Sequence, residues 1–390
     1  MHQRYARLWR LDPDVVHLNH GSFGATPTAV LEYQHGLQEH LESNPTAFEL
    51  EELWDELDRS RASLARFVNA DADGVAFVPN TTHGVNTVLR SLDFEEGDEI
   101  LITDHGYEAC GNAAAYVADK SGASLRTVAL PAPVVDAAEV TATIVAAVTS
   151  RTKLALIDHV TSSTALVLPI RDIVDGLRTL GVTTLVDGAH APGMVPVDVA
   201  AIGADVYVAN CHKWLCAPKG AAFLCAAPSI RDELVPLAVG YGYTSTGAER
   251  SRFRALFDWT GTDDPTAYLS VPKAIEILGT VMSGGWDAII DSNHTLALAG
   301  RSLAHGALDS RPTTPHDMIG SMAAIPLPDL AGGGIYTDPL QTYLREKHNI
   351  VIPVTPGPRP SQRWLRLSAQ IYNDAGDFER LAEALAAWSD

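Results

Sequence analysis

Cysteine is scarce in this chain, and so is positive charge. Four cysteines in 390 residues (Cys110, Cys211, Cys216 and Cys225) show no paired spacing of the kind that holds zinc. Three fall in apolar, strand-like stretches, so reduced thiols are expected rather than a disulfide framework or a metal centre. Lysine and arginine number 28 against 48 aspartates and glutamates, a net charge of -20. A nucleic-acid backbone or an anionic membrane surface would therefore be repelled overall. No apolar run approaches the ~18 residues of a membrane span, and the start, MHQRYARLWRLDPD, lacks the apolar core of a secretory leader; a cytoplasmic location is expected. No G-x-G-x-x-G follows an expected strand, which removes the usual mark of a dinucleotide-dependent oxidoreductase. Internal repeats and low-complexity linkers are lacking as well.

What the chain does have is apolar residues, 46% of the total, enough for one large core and a smaller second one. Short apolar runs at 75–78, 99–103, 125–130, 153–160, 183–186, 205–209 and 220–226 read as strands. Helical stretches at 137–149 and 170–180 alternate with them. The run KLALIDHV from residue 153 is almost continuously apolar, as in a parallel sheet covered on both faces. The expected fold is α/β: a mostly parallel, doubly wound sheet whose ligands sit at the carboxyl ends of its strands. Ahead of it, apolar stripes Val30, Tyr33, Leu37, Leu41 and Leu50, Leu53, Trp54, Leu57, Leu64, Phe67 predict two packing helices. After Pro265 the texture changes to helices at 266–282 and 286–308, shorter segments at 322–327, 340–347, 350–354 and 364–369, and a last helix at 378–388. Three units follow: an N-terminal segment 1–45, a large domain 46–265 and a small α+β domain 266–390.

Chemistry concentrates between residues 185 and 216. One strand delivers Asp187 into the turn Gly188, Ala189, His190, and the next ends in Asn210, Cys211, His212, Lys213. An amine and a carboxylate at neighbouring strand ends suit pyridoxal phosphate: the amine forms a Schiff base, and the carboxylate keeps the pyridine nitrogen protonated. Either residue alone would read as a turn aspartate or a solvated lysine. Thr81 and Thr82 open a helix, where hydroxyls and free backbone N–H groups can hold a phosphate or simply cap the helix. Gly21 and Gly24 flank Ser22 and Phe23 in an expected loop.

D-G-A-H at 187–190 followed by A-N-C-H-K-W at 209–214 resembles the signature of the class V aminotransferases, a branch of the fold-type I pyridoxal phosphate enzymes. G-S-F-G at 21–24 and H-K-W resemble the isopenicillin N epimerase-like subgroup. The resemblance implies Lys213 as the Schiff-base lysine and Asp187 on the ring nitrogen. Thr81, Thr82 and His212 would lie on the phosphate, and His190 and Ser162 near the phenolic oxygen. Tyr107 would stack on the ring, with His105 as the competing choice. Asn19, Gly21, Ser22 and Phe23 become substrate contacts. In R-L-S-A-Q-I-Y-N at 366–373, Arg366 would grip the substrate's α-carboxylate through its planar fork, while Arg363 reads as a surface residue. Asn210 stands where desulfurases often have serine. In W-T-G-T at 259–262, Thr262 would reach the partner subunit's phosphate, which implies a homodimer with shared sites.

The same resemblance implies a freed Lys213 taking the Cα proton of an amino-acid substrate. Related desulfurases carry a cysteine shortly before the carboxylate-binding arginine, and 350–362 has none. The expected reaction is therefore β-elimination by a C–S lyase acting on an S-substituted cysteine in thiol or antibiotic metabolism. Amino-acid epimerisation comes second and decarboxylation-dependent oxidative deamination third. A dinucleotide-dependent oxidoreductase, set aside above for want of its glycine motif, is the reading from another class, and a protein that holds pyridoxal phosphate as a structural or sensory ligand without turnover is a further alternative.

Overall fold

Alternating side chains on short strands build the molecule outward from one sheet. The computed structural model describes residues 3–244, 250–330, 337–359 and 361–388. After a short strand β1 (Val16–His17) come β2 (Val75–Val78), β3 (Glu99–Thr103), β4 (Ser124–Val128) and β5 (Thr152–Asp158). β6 (Thr183–Asp187), β7 (Val206–Asn210) and β8 (Ala222–Ala226) follow. β2 to β8 form a seven-stranded sheet in the order β2-β8-β7-β6-β5-β3-β4. It is parallel from β7 to β4, while β8 runs antiparallel to both β7 and β2.

The pleat sends successive residues to opposite faces. Leu154, Leu156, Leu185, Val206 and Val208 join Val85, Val88, Ala113 and Ala114 of the helices Thr81–Ser91 and Glu108–Ser121. Ala155, Ile157, Val186, Tyr207 and Ala209 pack on the other side, against Leu53, Leu57, Leu64, Ile173 and Leu177. Both faces are covered, as the continuous apolar run of β5 requires.

The second unit contains β9 (Met322–Leu327), β10 (Ile350–Val351), β11 (Val354–Pro356) and β12 (Arg363–Ser368). β11, β12 and β9 form an antiparallel sheet, and β10 pairs in parallel with β1. The helices Gly285–Ala307 and Ala375–Ala386 close its core through Ala297, Phe378 and Leu381.

The expected boundaries at 45/46 and 265/266 do not coincide with this packing. Val30, Ala267, Leu269, Val271 and Ala274 belong to the large core beside Leu53 and Leu57. Val16 and Leu18 belong to the small one. The expected helix 266–282 is two helices, Thr266–Leu269 and Val271–Val281, the second with Pro272 in its first turn. The expected loop around Ser22 is a short helix, His20–Phe23. It ends at Gly24, whose φ of +67° and close approach to the His212 carbonyl leave no room for a Cβ. The N-terminal segment thereby lies directly on the backbone that carries Lys213. Among the described residues, no helix is long and apolar enough to cross a membrane.

Candidate active site

The carboxyl ends of β5, β6 and β7 meet the start of the helix Thr81–Ser91 around a pocket of about 190 Å³. Thr81, Thr82, Tyr107, Ser162, Asp187, His190, His212 and Lys213 all line it. A wider cleft of about 830 Å³ shares Tyr107, Ser162 and Lys213 with the pocket and continues to Arg366 and the 353–358 turn of the small domain. Thr355 Oγ1 donates to the Ser163 carbonyl at 2.9 Å, which joins that domain to the turn after β5.

Gly84 explains how the first helix approaches. A Cβ there would lie 2.4 Å from Val208 Cγ1 on β7, so only glycine lets the helix start reach the strand end. The Thr81 N–H then donates to Asn210 Oδ1 at 3.0 Å. Asn210 is thus a strut between β7 and the helix.

Lys213 Nζ donates to His190 Nε2 at 3.0 Å. Burial, and then the nearby Arg366 charge, bring Lys213 down to about 8. His190 is pushed well below its usual value by burial and then by Lys213, so its ring is neutral and accepts. Burial and Lys213 likewise bring His212 down to about 4. Asp187 accepts from the Ala189 N–H at 2.9 Å and from Cys110 Sγ–H at 3.2 Å. Burial raises its carboxyl, against the pull of these donors and of Lys213.

Arg366 stands on the small-domain side. Its Nη1 donates to the Ser162 carbonyl at 2.7 Å and to Ser162 Oγ at 3.3 Å. Its Nη2 donates to Ser22 Oγ at 2.6 Å and to Asn19 Oδ1 at 3.4 Å. Ser162, expected beside the cofactor's phenolic oxygen, lines the smaller pocket, and its polar contacts run to this guanidinium. Ser22 and Phe23 line the cleft; Asn19 orients Ser22 and Arg366. Gly21 does not reach the cleft: it is buried, its N–H donates to Ser368 Oγ at 3.1 Å, and Met322 stands against it. Tyr107 lines both compartments, whereas His105 is turned onto Thr164 Oγ1 at 2.8 Å. Thr262 is exposed and lines neither compartment.

Arg363 corrects the expectation of a surface residue. It is buried, bonded to Asp338 at 2.9 Å and to the Pro328 carbonyl at 2.8 Å. Two residues escaped the sequence reading. Asp158 ends β5 beside Asp187 in the strand register, and Cys110 supports Asp187 from the helix Glu108–Ser121. The signal for Asp158 was a carboxylate inside an otherwise apolar strand. His20 also joins distant parts, lying 3.1 Å from the Lys213 carbonyl and 3.0 Å from the Tyr372 hydroxyl.

The donor set fits pyridoxal phosphate. Among the described residues, the buried Thr81 Oγ1 and His190 Nδ1 have no hydrogen-bond partner, and both residues line the smaller pocket, which also offers an amine and a carboxylate. Among the described residues, no three metal-binding side chains cluster.

The model of the family described as "Aminotransferase class-V" matches residues 24–381. The chain is 36% identical to an isopenicillin N epimerase of Streptomyces clavuligerus, over 97% of this chain and 96% of that one. It is 33% identical to a probable chloroplastic L-cysteine desulfhydrase of Arabidopsis thaliana, over 96% and 83%. The solved structure of a cystine C–S lyase with its product cysteine persulfide superposes with a TM-score of 0.82 at 20% identity, covering 97% of this chain and 99% of that one. With a family match across almost the whole chain and two such relatives, the chain belongs to the class V aminotransferase family.

Proposed function

We propose that this enzyme catalyses β-elimination from an S-substituted cysteine, a C–S lyase reaction that consumes one water and releases a thiol, pyruvate and ammonia, in thiol or antibiotic metabolism. The observation that carries the proposal is the position of Lys213: its amine lies where the smaller pocket opens into the cleft that holds Arg366. Pyridoxal phosphate is the cofactor and, when bound, supplies an electrophilic carbon for an amine and a ring that draws electron density from the substrate's Cα. Thr81, Thr82 and His212 hold its phosphate, Asp187 its ring nitrogen, Lys213 its aldehyde carbon, and Tyr107 covers the ring. Arg366 binds the substrate carboxylate between Ser22 and Ser162. With a pKa near 8, Lys213 is close to the value that suits a base at neutral pH, and it takes the Cα proton. The neutral His190 ring, 3.0 Å away, orients the amine by accepting a hydrogen bond from it.

Persulfide transfer through a protein thiol is disfavoured. Cys110, Cys211, Cys216 and Cys225 are all buried, and burial raises every one of them above an ordinary thiol. The relatives with desulfhydrase names support elimination. Epimerisation is the second reading, supported by the identity to the Streptomyces enzyme. It needs a second proton donor on the opposite side of Cα from Lys213.

The test is a visible absorption spectrum during addition of S-substituted cysteines and L- or D-amino acids, with products followed by mass spectrometry. Pyruvate and free thiol are expected. Solvent deuterium at Cα with inversion and no fragmentation would replace elimination with epimerisation.

We also infer a homodimer with shared sites. Thr262 is exposed and lines neither compartment of its own chain, which supports a role toward the partner's phosphate. Thr262→Ala is expected to lose pyridoxal phosphate on dialysis that the wild type retains, and equal retention would count against the assignment. Four free thiols fit a reducing, cytoplasmic compartment.

A further inference from the structure

β5 and β6 are parallel neighbours, and their registered pairs run Leu154 with Thr183, Leu156 with Leu185, and finally Asp158 with Asp187. Paired residues on adjacent strands point to one face and stand about 5 Å apart. Here that face is the one covered by the helix Glu108–Ser121, because Leu154, Leu156 and Leu185 pack with Cys110 and Ala113. Two carboxylates thus end the ladder side by side, 4% and 2% exposed.

Their partners differ. Asp187 receives the Ala189 N–H and the Cys110 thiol. Asp158 receives the Tyr107 backbone N–H. Two like charges this close and this dry cannot both be held cheaply, and such pairs retain a proton. The ionisable groups around them are the Cys110 thiol on the covering helix, Lys213 after β7, Tyr107 and His105 in the loop after β3, and Tyr207 on β7, whose hydroxyl is held by His159. Lys213 is the cation whose field reaches both carboxylates.

We propose that Asp158 is a positioning residue that keeps one proton beside Asp187, so that the pair presents a single negative charge to the cofactor's ring nitrogen. This rests on the pyridoxal phosphate reading above and extends it to a residue outside the expected site. Asp187 carries the charge because its donors include the Cys110 side chain from the covering helix as well as the Ala189 N–H; Asp158, which receives the backbone N–H groups of Tyr107 and of its own residue, carries the proton. Burial first, and then the Asp187 charge, hold the Asp158 carboxyl well above the usual range. A neutral Asp158 also gives the ring a hydrogen-bonding neighbour that does not compete with Asp187 as an anion. When the proton leaves at alkaline pH, a second negative charge appears beside the ring nitrogen and strengthens its hold on a proton.

An asparagine has the shape and charge of a protonated aspartate, which makes the test sharp. The holoproteins of wild type, Asp158→Asn and Asp187→Asn are followed from mildly acid to mildly alkaline pH by their visible absorption band and by pyridoxal phosphate retained on dialysis. Asp158→Asn is expected to match the wild type at neutral pH in band position and retention, and to lack the change that the wild type shows on the alkaline side. Asp187→Asn is expected to lose retention at neutral pH by about tenfold or more, the effect of at least one pKa unit of lost interaction. The proposal is overturned if Asp158→Asn shifts the band or weakens retention about tenfold at neutral pH, or follows the wild-type pH profile throughout. If Asp158→Asn does not fold, infrared spectra of the wild type decide: a protonated-carboxyl C=O band persisting above neutral pH supports the pair, and its absence overturns it. A wild type without any visible band would defeat the cofactor reading instead, so the two failures are distinguishable.

Discussion

Replacing Arg366 by lysine keeps a positive charge in the cleft and removes its fork. In the structure Nη1 and Nη2 are each aimed by a hydroxyl, Ser162 at 3.3 Å and Ser22 at 2.6 Å, and Nη1 is also fixed by the Ser162 carbonyl at 2.7 Å. A substrate carboxylate meeting this planar group gains two parallel hydrogen bonds, each worth about 1.5–3 kcal/mol when charge-assisted. A lysine ammonium recovers about one of them and gives up the shared geometry. The expected loss in kcat/KM is about 2–4 kcal/mol, or about thirtyfold to a thousandfold. It should be measured as thiol release, the product common to an S-substituted cysteine and its amine analogue, with pyridoxal phosphate content checked by absorbance. Cofactor content should not change, because Arg366 lines the cleft and not the smaller pocket. The amine analogue lacking the carboxylate serves as the control, since it has nothing for Arg366 to grip. Equal losses for the amino acid and its amine analogue, or a loss below about threefold, would refute the role of Arg366.

Three further outcomes follow from single contacts. Arg363→Ala leaves Asp338 buried without its cation at 2.9 Å and is expected to destabilise the fold by about 3–5 kcal/mol, read by denaturant unfolding; a surface role would cost under ~0.5 kcal/mol. Asn210→Ala orphans the buried Thr81 N–H and should cost about 1–3 kcal/mol, lowering the Tm and weakening cofactor retention together. In the apoprotein, Lys213 titrates near 8, below the ~10.4 of an exposed lysine. The unfolded chain therefore binds the extra proton between these values, and stability must rise with pH across that window, by about tenfold per pH unit in the unfolding constant. Lys213→Met should lack that rise, and an unchanged slope would show that the amine is not desolvated.

The placement of Asp187 and Lys213 at neighbouring strand ends was legible from the apolar runs before them, although either residue alone would read as a turn aspartate or a solvated lysine. The two faces of the sheet were legible for the same reason: a buried parallel strand such as β5 has no polar side to show. Asp158 was not, although it sits in that same strand. Its meaning depends on the register with β6, and register is a relation between segments that neither one states. Arg363 failed for a related reason. It and Arg366 are three positions apart on β12 and so point to opposite faces, but the Asp338 that buries Arg363 comes from the start of a different helix. Composition changes near Pro265, while the helices that follow keep an apolar face toward the large core, so packing and composition do not change at the same place.

The division of labour between the two compartments follows from which segments build them. The smaller pocket draws its walls from residues between Asn80 and Lys213, apart from Ser22 and Phe23, so the large domain alone supplies its carboxylate, amine and helix start. The cleft is different: Arg366 comes from β12, its hydroxyl partners come from the turn after β5 and from the N-terminal segment, and Thr355 holds the small domain to Ser163. With Arg366 as the proposed carboxylate site, substrate recognition would depend on the seam between the two units, and cofactor retention much less so. His20 is the exception that couples them. Buried beneath the Lys213 carbonyl and against Tyr372, it ties the N-terminal segment and the small domain to the backbone of the lysine, so a shift of the seam is felt at the amine as well as at the guanidinium.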